Sequence, residues 1–208
     1  MNVAGTSTID RSGCPDSDGD GYSNPDAGWT IANGADAFVT EPTQWADQDG
    51  DGYGDNPAGF APDACPVSPG TSTLDRFGCG DGDGDGFSDP DGGWPVSSGA
   101  DSCPTVSGTS SQDRSGCPDD DSDGYSDPDP AGVNGPSWDV GDGADAFIGN
   151  STQWIDGDSD SFGDNSSGTF GDACVGVYGA SINDRFGCPD TDGDGWSDPD
   201  AGWTDANG

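Results

Sequence analysis

The sequence predicts a mostly irregular chain with little regular secondary structure, organised as an extended tandem array of short acidic loops. Three observations predict it. Gly, Pro, Asp and Ser interrupt the 208 residues every few positions, with 38 Gly and 16 Pro, and no apolar face repeats at helical period. A loop of the form D-x-D-x-D-G recurs along the chain. Val, Ile, Leu and Phe supply only 23 residues, about 11%, against a formal charge of −37. That balance describes a disordered chain unless something other than a hydrophobic core holds it together.

The loops, taken in order, carry oxygen donors at alternating positions. The first, D-S-D-G-D-G-Y-S-N-P-D, offers Asp16, Asp18, Asp20, the Tyr22 carbonyl, Asn24 and Asp26. The second is of a different flavour, D-Q-D-G-D-G-Y-G-D-N, and offers Asp47, Asp49, Asp51, the Tyr53 carbonyl and Asp55. The third offers Asp81, Asp83, Asp85, the Phe87 carbonyl, Asp89 and Asp91, and the fourth Asp119, Asp121, Asp123, the Tyr125 carbonyl, Asp127 and Asp129. The fifth, again of the second flavour, offers Asp156, Asp158, Asp160, the Phe162 carbonyl and Asp164; Ser161 stands where the other loops have glycine. The sixth offers Asp190, Asp192, Asp194, the Trp196 carbonyl, Asp198 and Asp200. Carboxylates at positions 1, 3 and 5 followed by glycine at position 6 open an EF-hand-type loop. Hard Ca²⁺ takes six to eight oxygens, and the glycine lets the next carbonyl turn inward. The expected cofactor is therefore Ca²⁺, bound several times over. Each ion would cancel two charges and tie together a stretch of backbone, standing in for a core. The helices that flank true EF-hands are not encoded. Short strand pairings are expected at most around V-Y-G-A-S-I and T-Q-W, and single helical turns after A-D-A-F.

Aligned on G-T-S-T-x-D-R-x-G-C, the chain divides into repeat units 1–69, 70–107, 108–178 and 179–208. The first and third carry two loops each, and the third an insertion at 130–140. The second is short, with one loop, and the fourth is partial. The array begins and ends mid-repeat, an expectation of continuity beyond these residues.

Seven cysteines punctuate the units. Cys65 to Cys79, Cys103 to Cys117 and Cys174 to Cys188 are each 14 residues apart, in units of different length, which favours local disulfides. The competing pairing joins Cys14 to Cys65, Cys79 to Cys103 and Cys117 to Cys174. On the 14-residue rule Cys14 is left over, available to a bridge with another segment or chain. No His and no C-x-x-C argue against zinc, and cysteines used this way indicate an oxidising, extracellular setting. No stretch is apolar enough to span a membrane, and the N-terminus has no signal-peptide character.

The loops D-T-D-G-D-G-W-S-D and D-Q-D-G-D-G-Y-G-D, with the D-A-C-P at Asp63–Pro66, resemble thrombospondin type 3 repeats. The likeness runs along nearly the whole chain. It implies an extracellular, calcium-bound structural array, of the kind found in long prokaryotic surface proteins and joined to adhesive regions. Two departures stand out. The acid that the family places at loop position 12 stands here at position 11, and the A-D-A-F…T-Q-W segment is additional. The aspartates of G-A-D or D-A-C, Asp36, Asp63, Asp101, Asp145 and Asp172, are expected to close the loops before them; capping or solvation is the plainer role.

Arg11, Arg76, Arg114 and Arg185, the only cations, occupy one repeat position and read as bridges between local carboxylates. The tryptophans read as plugs of miniature cores, with stacking on glycans as the alternative. Asn150 and Asn165 open N-glycosylation sequons. With every repeated Asp better explained as a ligand, no catalytic dyad stands out and no enzyme is expected. The acidic surface excludes nucleic acid and anionic membranes as partners. The expected partner is a second copy, in head-to-tail or lateral filament contacts; adhesin and spacer roles are the alternatives.

Overall fold

The computed structural model describes residues 5–133, 135–200 and 202–203. The expectations about Met1–Ala4 and Asp205–Gly208 lie outside them. The chain forms two compact units, Met1–Pro104 and Thr105–Gly208. Regular structure among the described residues amounts to two single-turn 3-10 helices, Ile31–Asn33 and Val96–Ser98, and four isolated bridges. Both turns lie before the G-A-D segments, not after A-D-A-F, and each ends on a left-handed glycine, Gly34 or Gly99. The bridges avoid V-Y-G-A-S-I and T-Q-W. They join Gly54 to Pro62 and Gly163 to Gly171 in parallel, and Asp26 to Trp29 and Asp129 to Trp138 antiparallel.

Hydrogen bonds to side chains and between loops do the work that helices and sheets do elsewhere. The G-T-S-T segment is one hub. Thr71 and Ser72 donate their amides to the Cys79 carbonyl, and Thr73 and Leu74 donate theirs to Gly86 at position 6 of the next loop. The second unit repeats this from Ala180 to Asn183. Gly70 is obligatory here, because a Cβ would lie 2.0 Å from the Cys79 carbonyl.

Gln44 and Gln153, each 1% exposed, are a second hub. Gln44 donates through Nε2 to the Asn56 and Phe60 carbonyls and accepts the Asn56 amide on Oε1. Gln153 does the same with Asn165 and Thr169. The T-Q-W segment thus clamps the turn that follows each second-flavour loop.

Aromatic rings fill what remains. Tyr22 stacks on Trp45 and Tyr125 on Trp154, centroids 5.2 Å apart, while Tyr53 packs on Phe77 and Phe162 on Phe186 at 5.8 Å. Each arginine lies over one tryptophan: Arg11 on Trp29, Arg76 on Trp94, Arg114 on Trp138 and Arg185 on Trp203, at 5.4–5.7 Å. Trp138 is therefore the counterpart of Trp29, displaced by the insertion, rather than an additional ring.

Cys65–Cys79 and Cys174–Cys188 are disulfides spanning 14 residues. Cys103 and Cys117 are disulfide-bonded as well, and Cys14 is free. The competing connectivity is excluded.

Candidate metal centres

Each loop is built by its own carboxylates. The position-1 aspartate accepts the amides of positions 4 and 6: Gly19 and Gly21 on Asp16, Gly50 and Gly52 on Asp47, Gly84 and Gly86 on Asp81. Asp119, Asp156 and Asp190 repeat the pattern. Positions 4 and 6 both take left-handed backbone, φ +86° and +100° at Gly19 and Gly21. The fifth loop forces serine into both places, Ser159 at +66° and Ser161 at +77°. The side chain at position 5 accepts the amide of position 7, as Asp20 does from Tyr22 and Asp160 from Phe162. The side chain at position 9 accepts from position 2: Ser17 on Asn24, Gln48 on Asp55, Gly82 on Asp89, Asp120 on Asp127, Gly157 on Asp164, Thr191 on Asp198.

These bonds leave other oxygens pointing at one another. In the triplets Asp16/Asp18/Asp20, Asp47/Asp49/Asp51, Asp81/Asp83/Asp85, Asp119/Asp121/Asp123 and Asp156/Asp158/Asp160, one carboxylate oxygen per residue lies within 4.8 Å of the others. These triplets could hold a metal ion. Oδ2 of Asp18, Asp20, Asp83, Asp121 and Asp123 and both oxygens of Asp49 and Asp158 are buried without a hydrogen-bond partner. The carbonyls of Tyr22, Tyr53, Phe87, Tyr125, Phe162 and Trp196 accept no hydrogen bond among the described residues.

A further aspartate approaches each of the first five loops. The Asp36 amide donates to the Ser23 carbonyl at position 8, and Asp101 and Asp145 reach Ser88 and Ser126 in the same way. Asp63 and Asp172 donate to Gly54 and Gly163. That single backbone bond brings in carboxylates 0–7% exposed. Each uses Oδ1 on the amide two residues on, while Oδ2 of Asp36, Asp63, Asp101 and Asp172 is buried and unpartnered. Burial, with the negative triplet beside it, pushes Asp36, Asp63 and Asp145 up to about 6 and Asp101 to about 7; Asp172 is raised for the same reasons. Within the triplets Asp20, Asp83, Asp123 and Asp158 are raised too, by burial first. Unneutralised carboxylates packed this way repel one another.

Three of the position-11 acids have an arginine partner. Asp26, Asp91 and Asp200 give Oδ2 to Arg11, Arg76 and Arg185 at 2.7–2.8 Å and Oδ1 to the backbone amides of Gly28, Gly93 and Gly202. The guanidinium holds all three below the usual carboxylate range. Asp129 accepts the Val133 amide. Of the four acids expected to ligate, Asp26, Asp91 and Asp200 thus have a guanidinium and a backbone amide as partners in the structure. In the sixth loop Asp192 and Asp194 are exposed, and no downstream aspartate lies among the described residues.

Sequence reasoning passed over Asp10, Asp75, Asp113 and Asp184, the residues before each Arg. Asp10 and Asp75 accept the amide and hydroxyl of Ser23 or Ser88 and the indole N–H of Trp29 or Trp94. Asp113 and Asp184 hold Ser126 and Ser197. Burial raises Asp10, Asp75 and Asp184, but these bonds outweigh it and leave them below their ordinary value. Their signal was a serine fixed at position 8 of the first, third, fourth and sixth loops, whose hydroxyl and amide need a partner.

No family model, no curated protein and no solved structure matches the chain. Its sites are read from their own geometry.

Proposed function

We propose that this chain is a calcium-stapled extracellular structural protein, a stalk or filament of thrombospondin type 3-like repeats without enzymatic activity. The observation that carries this is the convergence of buried, unpartnered carboxylate oxygens, such as those of Asp18, Asp20 and Asp36, at each of the first five loops. Oxygen-only donors, several of them charged, suit Ca²⁺, which tolerates six to eight ligands in flexible geometry. In the first loop we assign Asp16, Asp18, Asp20, the Tyr22 carbonyl and Asp36 as ligands, with Asn24 bracing the loop. Three disulfides fit an oxidising setting, and no helix among the described residues is long and apolar enough to cross a membrane. Partners are further copies of the chain, whose head-to-tail contacts would propagate into fibres. Electron microscopy of the protein in millimolar Ca²⁺ and after chelation tests this. Regular fibres that soften or fall apart in chelator are the expected result; discrete particles in Ca²⁺ would remove the filament, and fibres indifferent to chelation would remove the staple.

A further inference from the structure

We propose that Asn150 is an N-glycosylation site, and that the chain's other sequon, at Asn165, is occupied by the fold instead. Both triplets, Asn150-Ser151-Thr152 and Asn165-Ser166-Ser167, have the acceptor pattern. The structure gives them opposite surroundings.

Asn165 is bound on every polar atom. Its Nδ2 donates to the Thr152 carbonyl at 2.9 Å and its Oδ1 accepts the Ser167 amide. Its backbone amide and carbonyl are both held by Gln153. Asn56, its counterpart in the first repeat, makes the same bonds to Thr43, Ala58 and Gln44, although Ala58 makes that triplet no sequon. The asparagine is there for the clamp.

Asn150 stands at a turn between exposed Gly149 and Ser151. Its Oδ1 accepts the Thr152 hydroxyl at 2.8 Å, and no hydrogen bond among the described residues uses its Nδ2. In the first repeat Glu41 fills this place and accepts the Thr43 hydroxyl at 2.6 Å. The fold therefore requires an acceptor oxygen here and has no use for the amide nitrogen. An N-linked glycan leaves that oxygen in place and departs from the nitrogen. In the transfer, Nδ2 bonds to the anomeric carbon of a lipid-linked glycosyl phosphate, the carbon–phosphate oxygen bond breaks, and one amide proton leaves. The step is redox-neutral, and the disulfides fit an oxidising compartment outside the cytosol, where an exported chain would meet such a donor.

Peptide mapping of the protein from its native source, with fragmentation that leaves glycans attached, tests this. Glycan on the Asn150 peptide with Asn165 bare is expected. An unmodified Asn150, or equal occupancy of Asn165, overturns the proposal. Asn150→Glu, which copies the first repeat, should lose the added mass while near-UV circular dichroism in Ca²⁺ stays unchanged; retention of that mass would also overturn it.

Discussion

Asp101 is fully buried, faces Asp83 and Asp85, and has a carboxyl raised to about 7. A group whose folded pKa exceeds its unfolded value stabilises the fold fully below the unfolded value, 3.8, and loses that contribution as pH rises through the folded one. With Asp36, Asp63 and Asp145 near 6, the cation-free protein should therefore be more stable at pH 5 than at pH 8. Saturating Ca²⁺ should reverse the order, because protons and the ion compete for the same oxygens. Thermal melts at both pH values, with and without chelator, check this. Asp101→Asn should weaken Ca²⁺ binding at its loop on the order of tenfold, by removing one charged ligand. The same substitution should raise the melting temperature in chelator, since the amide needs no counter-ion. If the variant were destabilised equally in both conditions, its carboxylate would be a plain structural cap.

Among the elements, the loops depend on left-handed backbone and the clamps on buried amides. Ser161→Gly removes a side chain from φ +77° and should stabilise the protein by about 1 kcal/mol, read from denaturant midpoints. Gln44→Ala leaves the Asn56 amide without its acceptor and removes one donor from the Asn56 carbonyl, which keeps the Gly59 amide, and one from the carbonyl of exposed Phe60. At roughly 1–3 kcal/mol for each buried group left unsatisfied, it should unfold the T-Q-W segment and the second loop together. Hydrogen exchange at Asp55 and Asp63 would report this. The paired rings follow the same division of labour. Phe77 and Phe186 appear after Arg76 and Arg185 because a second-flavour loop precedes them and supplies Tyr53 or Phe162 to cover. Ser12 and Ser115 take that place in the other copies.

For the molecule as a whole, the proposed cations would share the task of a core with the disulfides. A bridge closing about 15 residues contributes on the order of 3 kcal/mol in the chain-entropy model. That is small against a charge of −37. Chelation should therefore expand the protein even with its disulfides intact, visible as a larger hydrodynamic radius. It should also speed reduction of Cys65–Cys79, since Asp63 lies two residues before Cys65 and approaches Asp51 and Gly78. Reduction rates unchanged by chelator would show that the loops and bridges are independent.

The acidic loops, the Cys65–Cys79 disulfide and the near absence of helix and strand among the described residues were legible in the sequence. Each is a local consequence of residue type at fixed spacing: aspartates that cap their own turns, glycines that enter left-handed backbone, cysteines a constant distance apart. The approach of Asp36, Asp63, Asp101, Asp145 and Asp172 to the preceding loops was legible as a repeat feature. What places them is one amide on the position-8 carbonyl. Which carboxylate each arginine bridges was not legible, because Asp26, Asp91 and Asp200 stand 15 residues from the arginines that hold them. Nor was the identity of Trp138 with Trp29, which the insertion separates in sequence but the arginine stack equates. Those assignments depend on which of several nearby oxygens a long side chain reaches. Spacing along the chain sets which groups can meet; only the folded backbone decides which of them do.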